Sequence, residues 1–419
     1  MNPHSRKAPP PSAPVTRGPA FVRQGNEWAI YQHLLALAPA TAPQLAQSTG
    51  LSKVTVTGAL GNLERLGLVE QVGVREGSAG RQPRLYQPRA RAGYVVAIDV
   101  GAAWIRGALA DLSGNILARL EKRSPARASL LVARIVEMAL ALAEAQALPR
   151  EAVLATVLGS PGVFDPSSGR LRLAPNLPDW ERADLVSSLR AALGEDTLFD
   201  NDINLAALGE QAHGIGRGVD NFVFMSIGTG IGLGIVTDGK LYRGAHGFAG
   251  EIAVLRPAPP AQDRGLDSER ERERGKDRGE NARDDGPRAA IFEESAAAKG
   301  IVAHARRIGL AVDDAEAVFA AALQGDERAR ACLAEQARQL AWGLAAIIPV
   351  LDPALVVLGG GIGLAGAALL PAIREQVEAW LPIPAPEFAI SATGTDAVLL
   401  GAIVQGVERA RLKAFERAG

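Results

Sequence analysis

Between residues 21 and 90 the apolar positions recur first at helical and then at strand spacing. Ile30, Leu34 and Leu37 lie three or four apart and predict a helix that starts near Asn26 and stops before Pro39. Thr41 is placed to cap a short helix over 42–48 with Leu45 inward, and Gly50 to make a turn. Ser52 then caps a third helix running to about Leu66, in which Val56, Leu60 and Leu63 share one face. Gly58 and Gly61 weaken that helix by about 1 kcal/mol each relative to alanine, so tertiary packing has to compensate. Past Gly67, the runs 68–74 and 84–87 predict two strands joined by a basic, glycine-containing tip, 75–83.

A short helix, a glycine turn, a capped second helix and a two-stranded wing form a winged helix-turn-helix. Its capped helix would enter a major groove with Ser52, Lys53, Val54, Thr55 and Thr57 outward. Arg75, Arg81 and Arg84 on the wing would reach phosphates or the minor groove. Three short helices also make packing or dimerisation modules; the basic tip and the place ahead of a ligand domain favour DNA.

From residue 94 the pattern changes. Runs 94–99, 104–111 and 115–120 read as three strands, 129–147 as a helix and 153–158 as a strand. Leu198 to Asp200 ends a further strand, and Asn201-Asp202 begins a helix. Buried strands 222–227 and 233–236 flank Gly228-Thr229-Gly230-Ile231-Gly232. Glycines at such a turn allow positive φ and let amides approach an anion, although a ligand-free hairpin reads the same way. Helices are predicted over 296–308 and 315–350, a strand over 355–358 opening into Gly359-Gly360-Gly361-Ile362-Gly363, an edge strand over 388–391 and a last helix over 396–415.

Length and composition narrow the reading. The 419 residues suffice for two or three domains, with 47% hydrophobic and 22% charged positions. A net charge of −1 means that any nucleic-acid site is a local basic patch. One cysteine, Cys332, excludes an intrachain disulfide framework and fits a reducing cytoplasm. Residues 1–20 are rich in proline and read as a disordered arm without a signal-peptide core, and 257–288 as a solvated, charged insert. The most apolar stretch, 344–370, is broken by Asp352-Pro353 and glycines, so no membrane span is expected.

Residues 221–251, in which the glycine turn, Asp238-Gly239-Lys240, Gly244, His246, Gly247 and Gly250 lead to Glu251, resemble the signature of the ROK family of repressors and sugar kinases. The resemblance spans nearly everything after about residue 20, and 21–90 looks like the winged helix of that family's sugar-responsive repressors. It implies an α/β fold in which the winged helix precedes an actin-like (ribonuclease H-like, sugar-kinase type) two-lobed domain, 91–419. It also implies a sugar site between the lobes, made by Gly162, Asn176, Asn201, Asp202, Glu251 and Glu293. Taken by residue type alone, Asn176 equally suits an ordinary turn, Asn201-Asp202 a helix cap and Glu293 a solvated helix N-terminus. Gly228, Thr229, Gly230 and Gly360 match the family's phosphate and nucleotide loops, the last equally a place of close helix–strand packing.

The chain departs from the kinases twice. Asp99-Val100-Gly101-Ala102-Ala103-Trp104 stands where they have Asp-x-Gly-Gly-Thr, which counts against ATP. Val254 stands where they have a histidine, and the zinc-binding cysteines that should follow are missing. The expectation is therefore a homodimeric or homotetrameric repressor of double-stranded operator DNA, responsive to a sugar, without zinc, cofactor, catalytic residue or membrane partner. The alternative is an ATP-dependent sugar kinase with an added DNA-binding arm, in which Asp202 would be the base.

Overall fold

The computed structural model describes residues 19–75, 82–125, 130–165, 168–174, 177, 180–182, 184–256 and 291–418. Arg81, Asn176, the charged insert and all but the end of the N-terminal arm lie outside these described residues. The chain divides into two compact units: Met1–Tyr94 with Asp111–Ser113 and Arg409–Gly419, and Val95–Ala110 with Gly114–Glu408.

The first unit holds α1 (Pro19–Leu37), β1 (Ala40–Thr41), α2 (Ala42–Thr49), α3 (Lys53–Arg65), β2 (Val69–Val74) and β3 (Arg84–Pro88), with the strands in the order β1-β3-β2. Helix α1 starts well before the expected Asn26. Its inward face is Ile30, Tyr31 and Leu34, whereas Leu37, expected inside, ends the helix and is 46% exposed. Thr41 and Gln44 form a reciprocal capping box on α2, and Ser52 caps α3. Ile30, Tyr31, Leu34, Leu45, Val56, Leu60 and Leu63 are all buried. Trp28 packs on Phe415 of the unit's C-terminal segment, ring centroids 5.0 Å apart. One charge sits in this small core: Glu27 is buried, and Asn62 Nδ2 donates to its Oε1 at 2.9 Å, joining α1 to α3.

The second unit contains two five-stranded sheets of one topology. In the first, β4 (Tyr94–Val100), β5 (Trp104–Asp111) and β6 (Ile116–Arg123) lead through α4 (Leu131–Glu144) to β7 (Val153–Ser160). The short hairpin β8 (Val163–Asp165) and β9 (Arg170–Arg172) follows, then α5 (Leu185–Leu193), β10 (Thr197–Asn201) and α6 (Asp202–His213). The second lobe has β11 (Phe222–Ile227), β12 (Ile231–Thr237), β13 (Lys240–Leu241), α7 (Phe292–Ala296), α8 (Ala298–Arg307), α9 (Ala315–Leu323) and α10 (Glu327–Leu351). It closes with β14 (Leu355–Gly359), α11 (Gly360–Leu364), α12 (Leu370–Trp380), β15 (Glu387–Ile390) and α13 (Ala397–Ala418). Residues 315–350 are thus two helices. Gly325 adopts φ +96°, and Asp326 caps the second of them.

The sheet orders are β10-β7-β4-β5-β6 and β15-β14-β11-β12-β13, the same order of third, second and first crossover strands followed by an antiparallel meander. Strands β7 and β10 are parallel, as are β11, β14 and β15. This duplicated arrangement is the actin-like fold. Ligands in such sheets collect at the carboxyl ends of the parallel strands, and here β4, β10 and β14 end at Val100, Asn201 and Gly359.

Removing Asn62 leaves the Glu27 carboxylate buried without its amide donor, a loss of about 1–3 kcal/mol. Asn62→Ala is therefore expected to speed hydrogen exchange of the α1 and α3 amides by about 10- to 100-fold while leaving the actin-like sheets protected. Mass-spectrometric exchange on the full chain checks this.

Candidate functional site

Two surfaces concentrate the chemistry. The first is the N-terminal end of α3. Ser52 Oγ accepts the Thr55 amide at 3.1 Å, and the two hydroxyls lie 2.9 Å apart, so Ser52 and Thr55 are partly committed to the cap. Lys53, Val54 and Thr57 are exposed to solvent, Val54 at 83%. Arg75 and Arg84 are exposed at the base of the wing, which pairing of Val74 with Arg84 and a bond from Arg75 N to Pro83 O hold together. Arg81 is outside the described residues.

The second surface is the cleft of the actin-like unit. Asn201 caps α6: its Oδ1 accepts from Ile203 N and Asn204 N, and its Nδ2 donates to Gly162 O at 3.0 Å. Gly162 has φ +91°, and a Cβ there would come within 2.5 Å of Arg172 O, so the β7–β8 turn that presents this carbonyl requires glycine. Asp202 Oδ1 accepts from Ile203 N, and Asp202 lines a cavity of about 180 Å³ together with Asp99, Arg106, Ser226 and Gly360. Glu293, from the first turn of α7, accepts from Ile231 N at 3.4 Å. Asp202 and Glu293 are near enough to Glu251 to act on it electrostatically. Asn176, expected beside them, lies outside the described residues.

The glycine turn works differently from the sequence expectation. None of Gly228, Gly230 and Gly232 adopts positive φ. A Cβ on Gly230 would instead meet Glu293 Oε2 at 2.7 Å, so the turn is bare because a carboxylate lies against it. Gly360 does have φ +73°, and a Cβ there would approach Ile227 O within 2.5 Å, the close-packing alternative raised by the sequence.

The 99–104 turn spends its polar groups on itself. Gly101 N donates to Trp104 O, Ser124 N to Ala103 O, and Ser124 Oγ to Gly101 O at 2.6 Å. Arg123 covers the Trp104 ring at 4.5 Å, and Arg106 lies 3.8 Å from Asp99. Neither Ala102 nor Ala103 offers a hydroxyl to a phosphate. The zinc donors are equally wanting: Val254 is 59% exposed, and the single cysteine, Cys332, is buried with its thiol directed at Ile301 O. Among the described residues no group of three or more His, Cys, Asp or Glu side chains could hold a metal ion.

Sequence reasoning missed Arg106, Asp200 and Arg243. Arg106 meets Asp99 across neighbouring strands, and Arg243 meets Asp200 from the other lobe, so each pairing depends on tertiary register that no local motif encodes.

Burial pushes the Asp202 carboxyl up to about 6 against the pull of its backbone bonds. Asp99 is pushed to about 7 by burial and by Asp202, with Arg106 opposing. Glu251 is also raised, first by burial, then by Asp202 and Glu293. A carboxyl with raised folded pKa binds its proton more tightly folded than unfolded, so its ionisation erodes stability as pH climbs from about 4 past the folded value. Asp202→Asn, which keeps the acceptor for Ile203 N, should raise Tm at pH 8 by roughly 2–6 °C and change it little at pH 4. Thermal denaturation at the two pH values checks the sign.

Comparison with known proteins gives the chain's relatives. Residues 24–90 match the sugar-specific transcriptional regulator TrmB family. The xylose repressor of Bacillus subtilis (strain 168) is 31% identical over 239 residues, 56% of this chain and 61% of the repressor, so the chain spans about three-fifths of that relative's length. The glucokinase of Thermotoga maritima is 29% identical over 329 residues, 74% of this chain and 95% of the kinase. A crystal structure of a ROK family transcriptional regulator, a homolog of the E. coli MLC protein, superposes with a TM-score of 0.75 at 23% identity, covering 94% of this chain and 99% of that one, a likeness of fold. Residues 95–405 match the ROK family itself, and the chain belongs to that family.

Proposed function

We propose that the protein is a transcriptional repressor whose affinity for double-stranded operator DNA is set by a monosaccharide or sugar derivative bound in the cleft of its actin-like unit. The observation that carries this reading is the exposed Lys53-Val54-Thr57 face of a capped helix, in one chain with a cleft where Asp202, Glu251 and Glu293 converge. Lys53, Arg75 and Arg84 suit phosphates, and Val54 suits the 5-methyl group of thymine in a major groove. The carboxylates suit hydroxyl donors, and Asn201 retains one amide N–H beyond its bond to Gly162. Similarity to xylose repressors supports the same assignment.

In this reading a sugar binds better to one arrangement of the lobes and shifts the population toward it, weakening operator binding. A homodimer or homotetramer acts, because a single winged helix reads too few base pairs. The protein works in the cytoplasm; among the described residues no helix is long and apolar enough to cross a membrane. ATP and zinc play no part, since the 99–104 turn offers phosphate no hydroxyl and Val254 offers a metal no donor. Retention of Asp202 favours the second reading, a sugar kinase with an added DNA-binding arm; in the repressor the same carboxylate only binds hydroxyls.

Fluorescence anisotropy with DNA from upstream of the protein's own and neighbouring genes, at two or more salt concentrations, tests the assignment. Sequence-specific, salt-dependent binding is expected. Lys53→Ala should weaken it on every sequence and flatten the plot of log K against log salt by about one unit. Absence of specific binding, with ATP-dependent phosphorylation of a hexose or pentose that Asp202→Asn abolishes, would establish the kinase instead.

A further inference from the structure

Asp200 is a buried carboxylate that the sugar-site reading does not use, and it is fully engaged. Its Oδ1 accepts from Asn201 N at 2.9 Å and from Asn204 Nδ2 at 3.5 Å. Its Oδ2 accepts from Arg243 Nη2 at 2.5 Å and from Gln405 Nε2, on α13, at 2.8 Å. The two sides of the Arg243 pair come from different lobes. Asp200 lies on β10, immediately before Asn201 and Asp202; Arg243 lies just beyond β13, at the start of the loop that delivers Glu251. Ala249 N donates to Arg243 O at 3.2 Å, closing residues 243–249 into a compact loop that passes directly to Gly250 and Glu251. The loop carries positive φ at Gly244, Gly247 and Gly250, so its internal path is set by glycine, and it meets the first lobe through Gly247, which packs beside Val163 and Phe164, and through the Arg243 side chain, its charged tie to that lobe. The Arg243 side chain is 41% exposed and meets an Asp200 side chain only 7% exposed, a bond that motion of one lobe can break without stranding the arginine from water.

We propose that Arg243 and Asp200 form a clasp between the lobes that positions the sugar site. Arg243 fixes the Glu251 loop against the Asn201-Asp202 strand end and so sets affinity for a polyhydroxy ligand without touching it. It is a positioning residue, and the proposal rests on the sugar-binding reading of the cleft. The guanidinium's direction matters as well as its charge, because a single Nη–H must reach Oδ2 beside the Gln405 amide.

The test uses the full-length chain with D-xylose and D-glucose as probes, titrated by calorimetry, for wild type, Arg243→Met, Arg243→Lys and Asp202→Asn. Arg243→Met keeps the aliphatic stem and removes the charge. It should weaken binding of whichever probe the wild type binds by about 10- to 100-fold, the loss expected for one charge-assisted bond. Sugar-free operator affinity should be unchanged, and amides of 247–252 should exchange faster. Arg243→Lys should restore part of the affinity. Sugar affinity equal to wild type in Arg243→Met, with binding lost only in Asp202→Asn, overturns the clasp and leaves the sugar site standing. Equal losses of sugar affinity, operator affinity and Tm in both Arg243 variants reduce the pair to a structural role and likewise overturn it. A wild type that binds neither probe overturns the sugar-binding reading and the clasp with it.

Discussion

Burial of several carboxyls in one cleft, with Asp202 close enough to act on Asp99 and Glu251, is the constraint around which the candidate site is built. Burial comes first in making Asp99, Asp202 and Glu251 harder to ionise; the Asp202 charge then adds to it at Asp99, and Asp202 and Glu293 add to it at Glu251. Ionised carboxylates buried in this way carry an electrostatic cost near neutral pH. Hydroxyl donors relieve it, because each O–H directed at a carboxylate supplies the hydrogen bond that lost water would have made. A triphosphate brings further negative charge to the same place, and the turn that would have to cradle it closes on its own backbone and on Ser124. That balance supports the proposed reading, in which the cleft takes a polyol without phosphate transfer.

The surrounding fold serves the same arrangement. Asn201 spends its acceptor on capping α6 and one donor on Gly162 O, which fixes the direction in which Asp202 leaves the strand. Glu293 reaches the cleft because Gly230 has no Cβ in its way. Glycine here answers a packing demand as much as a conformational one, and the two demands produce the same letter in the sequence.

That ambiguity marks where reading the sequence succeeds and where it stops. The winged helix was legible because its signals are local: Ser52 and Thr41 cap where capping chemistry places them, and Val56, Leu60 and Leu63 enter the core at helical spacing. Strand β11 was legible in full as an unbroken apolar run. Leu37 misled because apolar spacing does not say whether the last residue of a helix has anything to pack against, and the 315–350 stretch because Gly325-Asp326 breaks it without disturbing the apolar pattern. Asp202, Glu251 and Glu293 were nameable only through the signature they belong to. Arg106 and Arg243 were not nameable at all, since their partners lie on another strand and in another lobe.

In the proposed repressor the sugar cleft and the DNA-facing helix are thermodynamically coupled. Coupling of that kind is reciprocal: whatever factor the sugar takes from operator affinity, the operator must take from sugar affinity. The most direct measurement is the affinity of the full-length chain for its sugar, by calorimetry, with and without saturating specific operator DNA. Sugar binding is expected to be weaker in the presence of operator, by the same factor as the sugar weakens operator binding, ordinarily about 5- to 150-fold. Equal sugar affinity with and without operator would contradict it.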